Sequence, residues 1–219
     1  MRVEASQLVV ALHKTIEDLS RDFRGEGAFS FATEADVQST LLGRLRANVL
    51  FNVRVGEAKI ELVHAEFPAF GTSWKGGPRH DLTIWHPDFV EQARKNWGTP
   101  TRQWPDQLQK KLSLIAIELE RFPGLPWDIR QYEMFSPDAQ GVLDKKIREH
   151  PDIRKLRESW CEFRYFLIFW DDDVQAKPDL KICFESMHKA CINLAAESRE
   201  LRFCCACRDG SMFQIPELL

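Results

Sequence analysis

Four carboxylates in the 219-residue chain stand where they could do joint chemistry: Glu34, Asp81, Glu118 and Glu120. Asp81 opens the extended run His80 to His86, and Glu118 and Glu120 lie two apart in the apolar run Leu112 to Arg121. Residues two apart on a strand share a face, so both glutamates project to one side while Ile117 and Leu119 point to the other. Glu34 follows Thr33 at the head of a helical pattern, on the side of Leu41 and Leu45. Carboxylates gathered from neighbouring elements are hard oxygen donors, the set that Mg²⁺ takes together with water and phosphate oxygens. With 33 acidic residues, about five acid-x-acid pairs arise from composition alone. Position therefore counts for more than spacing, and an acid inside LIAIEL carries a large desolvation cost without a partner. Other readings stand beside this one: Glu34 as a first-turn carboxylate answering the helix dipole, Glu120 as a solvated strand end, Glu66 as a surface ion pair.

Residues 87 to 111 separate two strands by more than a tight turn requires. They carry Arg94, Lys95, Trp97, Arg102, Trp104, Lys110 and Lys111, cations interleaved with rings that can hold phosphates and stack on bases. The alternative is an ordinary exposed hairpin whose Trp residues pack back on the body. Lys145, Lys146, Arg148, Arg154, Lys155 and Arg157 offer a second basic surface, or a solvated helix face. GTSWKGGP lacks the order of a phosphate-binding P-loop, and no Ser/His/Asp or Cys/His pattern emerges around His64, His80 or His86. Cys183, His188, Cys191 and the group Cys204, Cys205 and Cys207 lie within 25 residues, but on a strand Cys205 and Cys207 face opposite to Cys204, so buried free thiols are expected in place of zinc.

The elements that must position these groups follow from periodicity. Leu8, Leu12, Ile16, Leu19 and Phe23 predict a helix over 7–23, and Thr33 as N-cap predicts a second, with Val37, Leu41, Leu42, Leu45 and Val49 inward. Ile60 to Phe67, His80 to His86 and Leu112 to Arg121 read as strands. After a loop at Pro123 to Pro126 come helical stretches from Asp138 to His150 and from Asp152 to Trp160. FRYFLIFW, Phe163 to Trp170, fits a strand buried on both faces. A helix from Glu185 to Leu201 and a hairpin, Phe203 to Cys207 and Ser211 to Ile215, complete the chain.

Helix, three strands, helix, strand, with acids at these places, resembles the PD-(D/E)xK nuclease superfamily. The resemblance is carried by TEADVQSTLLGRL, VHAEFPAF, RHDLTIWHP, LIAIELER and DIRKL, over about residues 33 to 170. It implies an α/β fold with a restriction-endonuclease-like αβββαβ core, a mixed central sheet flanked by helices. Asp81 and Glu118 would be the metal ligands for Mg²⁺ or Mn²⁺, and Glu34 the acid of the first core helix. The activity implied is that of a Mg²⁺-dependent endonuclease, with nucleic acid, DNA ahead of RNA, as partner and a homodimer left open. A nuclease-like scaffold that binds nucleic acid or protein without cleaving is the alternative. His80 stands where the family name has Pro, and Glu120 where the family usually has Lys. Some restriction endonucleases carry Glu there and are active; otherwise a cation from elsewhere, Lys111, Lys145 or Lys155, takes the lysine's part. The metal would polarise the scissile phosphate and acidify a water for in-line attack.

Composition agrees with these expectations and narrows them. Hydrophobic residues make up 44% and charged residues 29%, which excludes a fibrous or disordered chain. The net charge of −3 excludes a bulk-basic nucleic-acid arm, so phosphate contacts must be local. One domain over 1–219 is expected, its core at 33–170 with a helix before and a helix and hairpin, 185–215, after. No apolar run reaches membrane-span length and Met1 to Ser20 lacks a signal-peptide layout, so the expected location is cytoplasmic.

Overall fold

Alternating apolar residues on long strands and apolar stripes on helices can be buried together only by stacking helices on both faces of a sheet. The computed structural model has this arrangement; it describes residues 3–25, 30–72, 77–122, 139–198 and 200–215. The loop expected at Pro123 to Pro126 and the helix start at Asp138 lie outside them. In chain order the elements are α1 (Ala5–Asp22), α2 (Glu34–Ala47), β1 (Asn52–Val55), β2 (Ala58–Glu61), β3 (Val63–Pro68), β4 (Arg79–Trp85), α3 (Val90–Lys95), α4 (Asp106–Leu112) and β5 (Ser113–Phe122). They continue with α5 (Ala139–Glu149), α6 (Pro151–Glu158), β6 (Phe163–Trp170), α7 (Pro178–Glu197), β7 (Leu201–Cys207) and β8 (Met212–Ile215).

Six strands form one sheet in the order β3-β4-β5-β6-β7-β8. β5, β6 and β7 run parallel, and the remaining neighbours are antiparallel, so the sheet is mixed. β6 shows why its sequence is continuously apolar. Tyr165, Leu167 and Phe169 enter the core shared with α1 and α2, while Phe166, Ile168 and Trp170 enter the core under α5, α6 and α7. β5 is split in the same way, with Ile115, Ile117 and Leu119 on the first side and Ala116 on the second. The α1 stripe Leu8, Leu12, Ile16, Leu19 and Phe23 is fully buried. α2 starts with a capping box: the Thr33 hydroxyl accepts from Asp36 N at 3.2 Å and the Asp36 carboxylate accepts from Thr33 N at 2.7 Å.

Four expectations need correction. Val49, expected inward on α2, lies past its end in a 3₁₀ turn and is 74% exposed. The run Ile60 to Phe67 is two strands broken at Leu62, because β1 and β2 close a separate hairpin on Gly56, whose φ of +61° suits the first position of a two-residue turn. The last helix begins at Pro178, where proline fits a first helical turn, and Leu201 belongs to β7. The 87 to 111 segment is not a hairpin; it folds as α3 and α4 with 3₁₀ turns at Pro87–Phe89 and Thr101–Gln103.

Candidate functional site: an acidic cluster at the end of β5

The β4–β5 ladder pairs Leu82 with Ile117 and goes no further toward the start of β4. Beyond it, the amide of Leu119 donates to Asp81 Oδ2 at 2.7 Å, so Asp81 closes the gap where the strands part. Glu118 and Glu120 share the parity of Ala116 and therefore face α5 and α6. The two glutamates fare differently. Glu118 is 1% exposed, and its Oε1 meets His80 Nδ1 at 2.5 Å. Its Oε2 pairs with Lys155 Nζ at 2.6 Å. Glu120, one turn of the pleat nearer the strand end, is half-buried beside His150, whose Nε2 lies 3.5 Å from Glu120 Oε1.

α6 supplies the cation. Ile153 and Leu156 bury its apolar side, which lays the Lys155 stem against the sheet and carries its ammonium to three acceptors. The ammonium makes ion-pair contacts with Glu118 Oε2 at 2.6 Å and Asp152 Oδ1 at 2.8 Å and a hydrogen bond to Arg79 O at 2.9 Å. Arg164 on β6 fixes the far end of the helix, donating from Nε to Leu156 O at 2.7 Å and from Nη2 to Ser159 O at 2.9 Å.

Five carboxyl groups (Glu34, Asp81, Glu118, Glu120 and Asp152) thus crowd around one ammonium, and their titration records it. Burial, then the Asp81 charge, pushes Glu118 well above the ordinary carboxylate range, against the pull of Lys155. Glu120 is pushed up to about 8 by burial, by its hydrogen bond with Asp152 and by the charges of Glu34 and Asp81. Burial also raises Asp81, opposed by the Leu119 amide and Lys155, and raises Glu34, helped by Asp81 and Asp152. Asp152 goes the other way: burial would raise it, but the hydrogen bond and charge of Lys155 outweigh burial and lower it. Lys155 is held above its ordinary value because Glu118 and Asp152 outweigh its own desolvation. Burial lowers His80 to about 3 and lowers His150, so both rings are neutral near pH 7.

The structure therefore brings Glu34, Asp81, Glu118 and Glu120 into one neighbourhood. Of the three cations considered for the lysine's part, it brings only Lys155; Lys111 lies over the Phe89 ring at 5.9 Å, and Lys145 pairs with Glu149 at 4.0 Å. Sequence reasoning missed Asp152 and His150, although the acid at the first turn of a helix after Pro151 was a visible signal. Glu66, expected as a surface ion pair, takes φ +51° opposite Asp81, accepts a hydrogen bond from Gln38 Nε2 at 3.3 Å and adds to the charge felt by Asp81. A non-glycine residue in that conformation is strained, and here the strain sits beside the acids.

The 87 to 111 segment is a correction. It joins the far ends of β4 and β5, and from Ser113 to Glu118 a strand covers about 17 Å, so the segment does not line the acidic cluster. Trp104 is 4% exposed, packed on Phe67 and Trp85, and cannot present a face to a base. Trp97 is 65% exposed, Arg102 is exposed, Lys95 pairs with Glu91 at 3.0 Å, and Lys110 lies over the Trp160 ring at 5.4 Å. The second basic surface is interleaved with acids: Arg148 pairs with Glu197 at 2.5 Å and Arg154 with Glu158 at 3.0 Å. None of the six cysteines forms a disulfide, and five of them are buried. Among the described residues no helix is long and apolar enough to cross a membrane.

The chain matches no family model, and comparison with curated proteins and with solved structures finds no significant match.

Proposed function

We propose that the chain is a metal-dependent nuclease of the PD-(D/E)xK type that hydrolyses phosphodiester bonds, in DNA ahead of RNA. The observation that carries this reading is the meeting of Asp81, Glu118 and Glu120 with Lys155 where β4 and β5 part. Lys155, from α6, stands in for the lysine that the third strand lacks. The donor set fits a hard divalent cation: Asp81 keeps one carboxylate oxygen beyond the one given to Leu119, and repulsion among the acids adds to burial in raising Glu34 and Glu120, a penalty that a cation would relieve. Such a cation, Mg²⁺ or Mn²⁺, would polarise the phosphate and lower the pKa of a bound water.

The protein's own groups divide the remaining work. Asp81 and Glu118 would hold the cation, with Glu34 at its outer side. Lys155, held charged by Glu118 and Asp152, serves as a fixed positive charge toward the phosphate and not as a base. Glu120, once a cation beside it has displaced its proton, is the group able to accept one from the attacking water. The test is incubation of the purified protein with Mg²⁺ or Mn²⁺ and plasmid, single-stranded DNA or RNA. Cleavage lost in both Asp81→Asn and Lys155→Met supports the proposal, and cleavage that survives both removes it.

One observation favours a second reading, a nuclease-like scaffold that binds without cleaving. Both oxygens of Glu118 are already engaged, by His80 and Lys155, at 1% exposure. If Glu118 stays so engaged when Mn²⁺ is added, calorimetry gives the same cation affinity for Glu118→Gln as for the parent, and the scaffold reading takes precedence.

A further inference from the structure

On the outer side of Lys155 lies a donor set with different chemistry. One ligand atom each from Glu120, His150 and Asp152 fall within 4.8 Å of one another. His150 Nε2 is 3.5 Å from Glu120 Oε1, and His150 Nδ1 is 3.9 Å from Asp152 Oδ2. We propose that these three side chains form a seat for a first-row transition cation of the Mn²⁺ or Zn²⁺ class, distinct from the all-oxygen site at Asp81. This inference stands on the donor geometry alone and goes beyond the nuclease reading.

Metal bonds near 2.1 Å set donor atoms about 3.0 Å apart in octahedral and about 3.4 Å apart in tetrahedral coordination. One ion takes only one of the two ring nitrogens, so the triad is bounded by the 4.8 Å within which its three ligand atoms lie, and these reach metal-binding spacing with side-chain shifts of about 1–2 Å. Two elements supply the donors, β5 through Glu120 and the start of α6 through His150 and Asp152, so the seat is assembled by the fold and is not one flexible loop. His150 occupies the N-cap position of α6 yet makes no capping hydrogen bond with its side chain, and its ring is edge-on to Phe166 at 5.5 Å. The imidazole is therefore fixed in place without serving the helix. Lys155 takes Oδ1 of Asp152 at 2.8 Å and leaves Oδ2 turned toward His150, the kind of outer contact that orients a metal-binding carboxylate.

The chemistry of the set selects the ion. Imidazole suits Zn²⁺ and other first-row transition ions, the two carboxylates suit Mn²⁺, and Mg²⁺ and Ca²⁺ take oxygen donors alone. Side-chain exposures of 21% for Glu120, 15% for His150 and 28% for Asp152 leave an opening for the ion and its waters.

The experiment is pulsed EPR of the full chain with one equivalent of Mn²⁺, in which a directly bound imidazole appears as a ¹⁴N modulation. The expected result is a ¹⁴N signal in the parent and in Asp81→Asn, its loss in His150→Ala, and at least tenfold weaker Mn²⁺ binding in His150→Ala. A tenfold excess of Mg²⁺ leaves the signal in place. If His150→Ala fails to fold by circular dichroism, Asp152→Asn carries the test through the same loss of affinity. Absence of ¹⁴N modulation in the parent, or its persistence in His150→Ala, overturns the proposal. Cleavage with Mg²⁺ alongside a missing nitrogen signal would leave the nuclease reading intact, and a nitrogen signal without cleavage would do the reverse.

Discussion

Replacing Lys155 by Met keeps the buried stem and removes the charge that faces Glu118. The parent pair is 1% and 9% exposed at its side chains with a 2.6 Å contact, so solvent cannot take over the ammonium's part. Breaking one side of a buried pair costs about 3–5 kcal/mol, but Glu118 has a way out, since it can bind a proton. Protonating a carboxyl whose ordinary value is 4.5 at pH 7 costs 2.5 units, or about 3.4 kcal/mol, which caps the electrostatic penalty there. At pH 5 the same cap falls to about 0.7 kcal/mol. Lys155→Met is therefore expected to lose about 3 kcal/mol at pH 7 and less than about 1 kcal/mol of charge-related stability at pH 5. The double variant Lys155→Met, Glu118→Gln should recover about 2 kcal/mol relative to the sum of the single changes, since no buried charge is left unpaired. Urea unfolding followed by Trp fluorescence at both pH values measures all three. A loss below about 1 kcal/mol at pH 7, or strict additivity in the double variant, would show that Glu118 is already neutral and refute the ion-pair argument.

Glu120 gives a pH dependence of known sign. Its folded value near 8 exceeds the ordinary 4.5, so the native state keeps a proton that the unfolded chain has lost between these values; stability falls as pH rises through this window, and Glu120→Gln should flatten the slope. With solvent screening of a partly exposed group the effect is on the order of 1–2 kcal/mol between pH 5 and 8, read from urea midpoints. Gly71→Ala would place a Cβ 2.6 Å from the Trp160 ring at a φ of +89°, and a loss of about 2 kcal/mol or more in the same assay is expected. Trp104→Ala should cost about 3–5 kcal/mol, whereas Trp97→Ala should change stability by less than about 0.5 kcal/mol; equal effects would contradict the burial difference between them.

The fold was legible wherever one residue pattern admits one burial. The stripe of α1, the Thr33 cap of α2 and the two-sided apolar run of β6 each allow a single placement, and each lies where expected. The failures fall where local signals were equivocal. Ile60 to Phe67 is one apolar run in sequence, and only the Gly56 turn, which folds β2 onto β1, shows that it belongs to two sheets. In the 87 to 111 segment prolines and cations outnumber apolar residues, yet Val90, Ala93, Leu108 and Leu112 suffice to anchor α3 and α4 on the core.

The site was half legible for a topological reason. Asp81, Glu118 and Glu120 lie on adjacent antiparallel strands, whose alternation can be read from the chain. His150, Asp152 and Lys155 come from the crossover between the parallel strands β5 and β6, and nothing in local periodicity says which helix residue will face which strand end. The cue lay in what β5 lacked. A strand with acids at 118 and 120, whose Arg121 has the opposite parity and pairs with Asp171 at 2.7 Å, must find their positive charge across a tertiary contact, and α6 supplies it once Ile153 and Leu156 fix the helix rotation. Lys155 is thus a consequence of the apolar residues on either side of it: a one-residue shift in that stripe would turn the ammonium into solvent and leave Glu118 buried with His80 alone.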